Sequence, residues 1–298
     1  MNDKEKWKAV SARSKDVQYE KPVVPMAIDR VGFRGIYIPL NSFSRPPVIY
    51  SSGRVSVMVD LPPYQRGINM SRTMIGVTDY IGEGKAGLEE LAPSMAKRLL
   101  ELHEYSTKSR IRISADGYLT SSSPISGLES HEHFRVKVGA VMTRSALLRS
   151  IGVTITGIST CPCGAELMRS ALDHGPETAG LMPTHMQRAR ATLLISLQGE
   201  NRITIPQLLT AVSESMSGST HSVLKRADEG FVIYSALKNP KFVEDIYRSI
   251  AKEFMTRYPD LDKNTRVYIS VVSEESIHNF NASASGWSSY RDLKEMLR

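Results

Sequence analysis

Cysteine is nearly absent from this sequence, whose 298 residues include only two, Cys161 and Cys163. Two cysteines exclude a disulfide framework of the kind that holds small secreted proteins together. A bridge between cysteines this close in sequence would strain the disulfide geometry, so we expect both thiols to be free. Because two free thiols fit a reducing compartment, we predict a cytoplasmic protein.

Long apolar runs and the common nucleotide-binding motifs are also missing. No stretch of about 18 apolar residues occurs, so we expect no membrane partner. The first residues, Met-Asn-Asp-Lys-Glu-Lys, are charged and contain no apolar core of a signal peptide. Neither GxxxxGKS/T nor GxGxxG is present, so a phosphate site would have to be built in another way.

The net charge of +7 and the pI of about 9.3 raise the question of a nucleic-acid partner. The basic residues are scattered, and no long basic run with interleaved aromatic residues is present. We therefore predict no nucleic-acid partner. A moderate positive charge also suits a small anionic substrate such as a nucleoside triphosphate, which it would attract.

The patterns that are present predict alternating strands and helices. Strands are predicted within 30–60 and at 110–114, 133–141, 151–158, 189–197 and 267–272. Helices are predicted at 86–105, with Pro93 as a weak point, and at 205–216, with Thr204 as N-cap. A third helix is predicted after Asn239-Pro240, with an apolar face formed by Phe242, Val243, Ile246, Ile250 and Phe254. Residues 65–72 read as a loop or an irregular strand.

Two strands, a helix and two more strands occur twice in this order. The order predicts an α+β fold with antiparallel strand pairs and an internal duplication. We predict a flexible or surface-bound N-terminal segment at 1–28, a first unit at 29–146 and a second unit at 147–298. The second unit carries most of the candidate site residues.

The candidate metal ligands concentrate between residues 161 and 190, where Cys-Pro-Cys is followed by His-Met-Gln-Arg at 185–188. A thiolate followed by a positioned imidazole suits a Zn or Fe(II) site with an open coordination position. The alternative is that both cysteines are simply packed in the core, as cysteine often is. Residue types alone do not decide between the two.

Three further segments could contribute to a site. Residues 224–230 contain Asp228 and Glu229, and residue types alone favour a charged turn before a strand there. Residues 239–245 contain Glu244, and acidic residues there also suit an ordinary helix start. Residues 274–279 contain His278, a candidate proton donor because histidine titrates near neutral pH.

Together these segments resemble GTP cyclohydrolase of type IB, the metal-dependent enzyme at the head of pterin biosynthesis, and especially its archaeal form. The matching motifs follow the family's order between about 54 and 280. They are GINMSR at 67–72, CPC at 161–163, HMQR at 185–188, LKRADE at 224–229, NPKFVED at 239–245 and ESIH at 275–278.

The resemblance implies a tunnelling fold, with two tandem ββααββ units per chain and helices on one face of the antiparallel sheets. It also implies a homotetramer with active sites where subunits meet. The implied reaction opens the imidazole ring of GTP at C8, releases formate and forms a dihydroneopterin phosphate.

Residue roles follow from the same resemblance. It assigns Cys161, His185 and Glu229 as metal ligands, Glu244 as the anchor of the guanine ring and His278 as a proton-transfer residue. A metal held by thiolate, imidazole and carboxylate keeps a position for water and lowers the pKa of that water. A carboxylate can accept two parallel hydrogen bonds from guanine, which excludes adenine.

Several positions point to the archaeal branch or depart from the bacterial pattern. Asn69 and Phe280 replace bacterial histidines, and residues 169–183 look like an insertion between Cys161 and His185. The archaeal branch implies Fe(II), with Zn(II) or Mn(II) as alternatives, and 7,8-dihydroneopterin 2′,3′-cyclic phosphate as the product. Two other functions stay open, a non-catalytic metal- or nucleotide-binding protein on this fold and a basic RNA-binding protein.

Overall fold

A computed structural model describes residues 2–81, 87–172, 181–199 and 203–297. Within these residues the strands are β1 Ile28–Pro39, β2 Val48–Leu61, β3 Lys108–Ser122, β4 Glu129–Thr143, β5 Leu147–Thr160, β6 Met186–Gln198, β7 Gly218–Ser219, β8 Arg266–Ser273 and β9 Ala282–Ser289. The helices are α1 Asp3–Arg13, α2 Met70–Thr78, α3 Leu88–Leu102, α4 Pro162–Ala171, α5 Ile205–Ser213, α6 Arg226–Lys238, α7 Val243–Arg257 and α8 Tyr290–Met296.

The strands form one antiparallel sheet in the order β1-β2-β3-β4-β5-β6-β8-β9, and β7 pairs with β5. Successive side chains along each strand point to opposite faces of the sheet. In β2, for example, Val55, Val57 and Val59 are buried, while the residues between them point to the opposite face. The sheet passes without a break from β4 to β5, through the turn at 144–146 where the two units were predicted to meet.

Helices cover one face of this sheet. α3 packs on β3 and β4, α5 packs on β5, and α7 packs on β8. The apolar positions of α3 and α7 recur every three or four residues, so each helix buries one stripe: Leu91, Met95 and Leu99 from α3, and Ile246, Ile250 and Phe254 from α7. This confirms the predicted α+β class with an antiparallel sheet.

The helix predictions at 86–105, 205–216 and after residue 240 are confirmed, with two corrections. Phe242 was predicted on the buried face of the last helix, but it precedes α7 as its N-cap and is exposed. Thr204 occupies the N-cap position of α5, yet its side chain makes no capping hydrogen bond. Pro93 lies inside α3, where it is buried without ending the helix.

Three further predictions of local structure were wrong. The segment read as a loop or strand at 65–72 leads into α2, which begins at Met70. The charged turn predicted at 224–230 is the start of α6. Cys-Pro-Cys, which reads as a turn after the strand predicted at 151–158, instead begins α4: Cys161 is the N-cap, and Pro162 occupies the N1 position, where its missing N–H costs nothing.

The N-terminal segment lies on the surface and is tied to the loop before α2. None of the residues of α1 is buried. Further on, the Nδ2 of Asn69 donates a hydrogen bond to Oε1 of Gln18 at 2.6 Å, and Arg66 pairs with Glu20 at 2.8 Å. No helix in the described part of the chain is both long and apolar enough to cross a bilayer.

Candidate active site

A cavity of about 290 Å³ opens where β5, β6, α7 and the β8–β9 loop meet. Four of the five residues predicted for the site line it: Cys161, His185, Glu244 and His278. They come from four segments that are far apart in the sequence. The sheet brings the first two together, since Thr160 at the end of β5 pairs with Met186 at the start of β6.

Cys161 is the N-cap of α4, and its position is fixed by backbone contacts. Its N–H donates to the carbonyl of His185 at 3.1 Å, and its sulfur accepts the N–H of Gly164 at 3.4 Å. A Cβ at position 164 would collide with the Thr184 hydroxyl unless that side chain moved, so glycine fits here without rearrangement. Both cysteines are free, as predicted.

His185 is oriented by a chain of hydrogen bonds. Its Nδ1 lies 2.9 Å from Oε1 of Gln187, and Nε2 of that amide donates to Glu275 at 3.2 Å and to the Ser273 hydroxyl at 3.1 Å. A carboxylate only accepts hydrogen bonds, so the amide nitrogen of Gln187 faces Glu275 and its oxygen faces His185. Nδ1 of His185 therefore carries the proton, and Nε2 keeps a lone pair for a metal.

Glu244 lies in the first turn of α7, but the neighbouring Asp245, and not Glu244, caps the helix. The carboxylate of Asp245 accepts the N–H of Phe242 at 3.1 Å and so caps the helix. Glu244 is exposed and lines the cavity without any hydrogen bond to the described residues. The positive end of the helix dipole favours a carboxylate at this position.

Lys241 holds the start of α7 against the end of β5. Its N–H donates to the carbonyl of Thr160 at 2.9 Å, and its Nζ donates to the carbonyl of Ser215 at 2.9 Å. Burial lowers the pKa of Lys241, an effect that Glu253 and Asp245 oppose. This clamp explains why Glu244 and Cys161 share one cavity.

His278 lies in the loop between β8 and β9, with its ring stacked on Phe280. The ring centroids are 5.1 Å apart and the planes differ by 11°. Both side chains are exposed at the cavity. Phe280, which stands where the bacterial pattern has histidine, thus supplies an aromatic surface for the remaining imidazole.

Glu229, the third predicted metal ligand, does not line this cavity. It is exposed on the first turn of α6. Among the described residues, no three His, Cys, Asp or Glu side chains lie close enough together to hold a metal. A single chain therefore brings together two of the three predicted ligands.

The family is decided by comparison with known proteins. The family model described as type I GTP cyclohydrolase folE2 matches residues 15–284. The chain belongs to this family of enzymes. Curated relatives include GTP cyclohydrolase MptA 1 of Methanocella arvoryzae, 31% identical over 95% of this chain and 96% of the relative. GTP cyclohydrolase MptA of Methanoculleus marisnigri is 32% identical over 90% of this chain and 93% of the relative.

Solved structures show the fold that this cyclohydrolase family member shares. A hyper-thermostable uricase mutant superimposes with a TM-score of 0.51 at 10% identity, covering 90% of this chain and 94% of the uricase. Uricase from Arthrobacter globiformis gives 0.50 at 8% identity, covering 89% and 93%. Uricases are tunnelling-fold proteins, and at this identity the likeness concerns the fold alone.

Within the cyclohydrolase site, sequence reasoning gave no role to Gln187 and Lys241. A signal for Gln187 was available, because residues two apart in an extended segment share a face, as His185 and Gln187 do. Glu275 was noted only as part of the His278 motif. Arg188, Lys225 and Arg226 belong to the matching motifs and could meet a triphosphate by charge alone, but they do not line the cavity of one chain.

Proposed function

We propose that this chain hydrolyses GTP at C8 of the guanine ring, releases formate and forms a dihydroneopterin phosphate. The observation that carries the proposal is the convergence of Cys161, His185, Glu244 and His278 on one cavity in a member of the GTP cyclohydrolase family. The product proposed is 7,8-dihydroneopterin 2′,3′-cyclic phosphate, as the archaeal motifs imply, with the triphosphate as the alternative.

The donor set fits a divalent metal. The sulfur of Cys161 accepts a single backbone N–H, and Nε2 of His185 carries a lone pair because Nδ1 is held by Gln187. Fe(II) is the proposed metal, with Zn(II) or Mn(II) as alternatives. When bound, it would supply the Lewis acidity that activates a water for hydrolysis of the ring.

The other residues of the cavity bind the base and move protons. Glu244 accepts hydrogen bonds from the N1–H and the amino group of guanine, an arrangement that adenine cannot match. His278, held against Phe280, exchanges a proton with the opening ring. Lys241 keeps Glu244 at a fixed distance from Cys161 through its contacts with Thr160 and Ser215.

Glu229 is proposed to complete the metal site of a neighbouring subunit. It is exposed, and Ile233, one turn further along the same face of α6, is also exposed. A carboxylate beside an apolar side chain suits insertion into a partner's cavity. We therefore propose the homotetramer of two-unit tunnelling-fold chains, with sites at subunit interfaces.

The test combines turnover with subunit mixing. The metal-stripped protein receives Fe(II), Mn(II) or Zn(II) anaerobically with GTP, and formate and the mass of the pterin product are measured. Metal-dependent formate is expected, and the product mass separates cyclic phosphate from triphosphate. No formate with any metal would favour a non-catalytic binding protein.

Cys161→Ala and Glu229→Ala are each expected to abolish turnover. When the two variants are co-expressed, random mixing should restore up to about a quarter of the wild-type activity if each site takes these residues from different subunits. No recovery in oligomers shown to contain both variants would contradict the shared site.

A further inference from the structure

A second cavity, of about 830 Å³, lies on the sheet face that the helices leave uncovered, and its lining residues come from β1 to β6. It shares no lining residue with the cavity of Cys161. Six cationic side chains line it, and no carboxylate does: Arg30, Arg34, Arg54, Arg110, Arg112 and Lys137. Six of the chain's 38 Lys and Arg residues therefore lie in one concave place.

Two of the six cations share one carboxylate, that of Asp29, at the edge of the cavity. Arg110 donates to Asp29 at 2.7 Å, and Arg30 pairs with the same carboxylate at 3.2 Å. The hydrogen bond from Arg110 lowers the pKa of Asp29. Asp29 is therefore a counter-ion within the protein for Arg110 and Arg30.

The other four cations have no such partner. Arg34, Arg54, Arg112 and Lys137 are exposed and make no ion pair or side-chain hydrogen bond with any described residue. Like charges brought together in a concave surface repel one another, and they raise the local concentration of anions. An anionic ligand would remove the repulsion.

The strand register sets the spacing of three of these cations. Arg54 on β2 pairs with Ser114 on β3, and Ser114 pairs with Lys137 on β4. Neighbouring strands are about 4.8 Å apart, so the backbones of Arg54 and Lys137 are separated by about 10 Å. Arg112 lies on β3 between them, two residues from Ser114. A chain of two or three linked phosphates is long enough to reach across these positions.

Serine side chains lie among the cations on the floor of the cavity, which also includes apolar residues. Ser56, Ser114 and Ser150 line it, and their hydroxyls make no hydrogen bond to the described residues. Gly139 lies beside Arg112 in the register, and a Cβ there would stand 2.6 Å from the hydroxyl of Ser150. Small residues thus leave room for a ligand, and hydroxyl donors remain free to bind it.

We propose that this cavity binds a small polyphosphate anion, either inorganic or carried by a nucleotide. A polynucleotide is the weaker fit, because single-strand sites stack bases on aromatic side chains and no aromatic side chain lines the cavity. The proposal does not depend on the cyclohydrolase reaction, and its test needs no turnover.

The test is calorimetric titration of the assembled protein with inorganic tripolyphosphate. Wild-type protein is compared with Arg112→Gln/Lys137→Gln and with the control Arg291→Gln/Lys252→Gln, which removes the same two charges from exposed helical positions. We expect saturable, salt-sensitive binding that is about tenfold or more weaker in the cavity variant and unchanged in the control. Unchanged binding in the cavity variant, or equal loss in the control, would overturn the proposal.

Two further titrations identify the source of the phosphates. CTP that binds no tighter than tripolyphosphate indicates recognition of the phosphate chain alone, and tighter binding of CTP indicates a nucleotide. Titration with an RNA oligomer of about 16 nucleotides tests the alternative that the cavity binds a polynucleotide. If RNA binds far more tightly than tripolyphosphate and depends on Arg112 and Lys137, the small-anion proposal is overturned in favour of a polynucleotide.

Discussion

The orientation of His185 depends on a residue that binds no metal in the proposed site. Gln187 holds Nδ1 of the imidazole, and Glu275 and Ser273 in turn fix the direction of the Gln187 amide. Such outer partners set the tautomer and the direction of a ligating histidine. The contribution of Gln187 should therefore be visible in metal affinity.

Gln187→Met keeps the length of the side chain and removes the acceptor for Nδ1. We expect the affinity for Zn(II), used as the probe, to fall by about 10- to 100-fold, since the imidazole loses its preferred tautomer and orientation. Competition with a chromophoric chelator measures the affinity.

The matched control is Gln198→Met, at the exposed end of the same strand, β6. It should leave the Zn(II) affinity unchanged. Equal affinities of the Gln187 variant and the wild type would show that Gln187 does not orient the ligand.

At the level of single residues, the sequence identified four residues that line the cavity but not the contacts that support them. Cys161, His185, Glu244 and His278 could be named because motif and residue type carried the information. The role of Lys241 could not be predicted in this way. Its Nζ donates to the carbonyl of Ser215, and that carbonyl is available only because α5 ends before this residue. Such contacts between distant segments leave no local pattern.

Among the elements, α6 is the one that the sequence misrepresented most. Its apolar residues fall on every side, with Phe231, Ile233 and Tyr234 all exposed, so no helical stripe could be read. β9 was missed for a related reason, since its Ala-Ser-Ala-Ser-Gly sequence has little strand propensity and obtains its partner from β8. By contrast, α3 and α7 each bury one stripe and were predictable.

The buried carboxylate of Asp228 fixes the start of α6 on the β3–β4 loop. It accepts hydrogen bonds from the N–H and hydroxyl of Ser126 and from the N–H groups of Ile125 and Lys225, at 2.7–2.8 Å. The hydroxyl of Ser126, followed by these N–H groups, lowers the pKa of Asp228 well below its ordinary value despite burial. The neighbouring Glu229 is thereby held at the surface.

Asp228→Asn should destabilise the protein at neutral pH, because an amide nitrogen cannot accept these hydrogen bonds. The folded pKa of Asp228 lies below the unfolded one, so its stabilisation is complete above pH about 4 and is lost as pH falls towards the folded value. We expect the difference in unfolding free energy between wild type and variant to shrink on acidification.

Urea unfolding at pH 7 and at successively lower pH measures this difference. Asp260→Asn, at an exposed position outside the helices and strands, serves as the control and should match the wild type throughout. A difference that stays constant down to acidic pH would exclude the hydrogen-bonded carboxylate as its source.

For the whole molecule, one surface is apolar and another is cationic, and the two suit different partners. The exposed face of α6 carries Ile233 one turn from Glu229, which fits contact with a second copy of the chain. The cationic face across β1 to β6 would repel an identical face and suits a small anion instead. The amino-acid composition could not distinguish the apolar surface from the cationic one, because it is an average over the whole chain.

Ile233→Lys tests the role of α6 in assembly. A lysine in a packed apolar interface loses the contacts of isoleucine and must bury a charge, which costs about 2 kcal/mol or more at an interface centre. That cost corresponds to about 30-fold weaker association. We expect the mass from light scattering to fall with dilution towards the 33.1 kDa of one chain.

Formate production should fall together with the mass, because the proposed site takes Glu229 from a neighbour. The control is Trp7→Lys on α1, a helix without buried residues, where the same charge replaces a side chain that is 68% exposed. It should retain both mass and activity. If Ile233→Lys keeps the wild-type mass at every concentration, α6 is not at the interface. If the mass falls while the specific activity stays constant, each chain holds a complete site and Glu229 is not a ligand supplied by a partner.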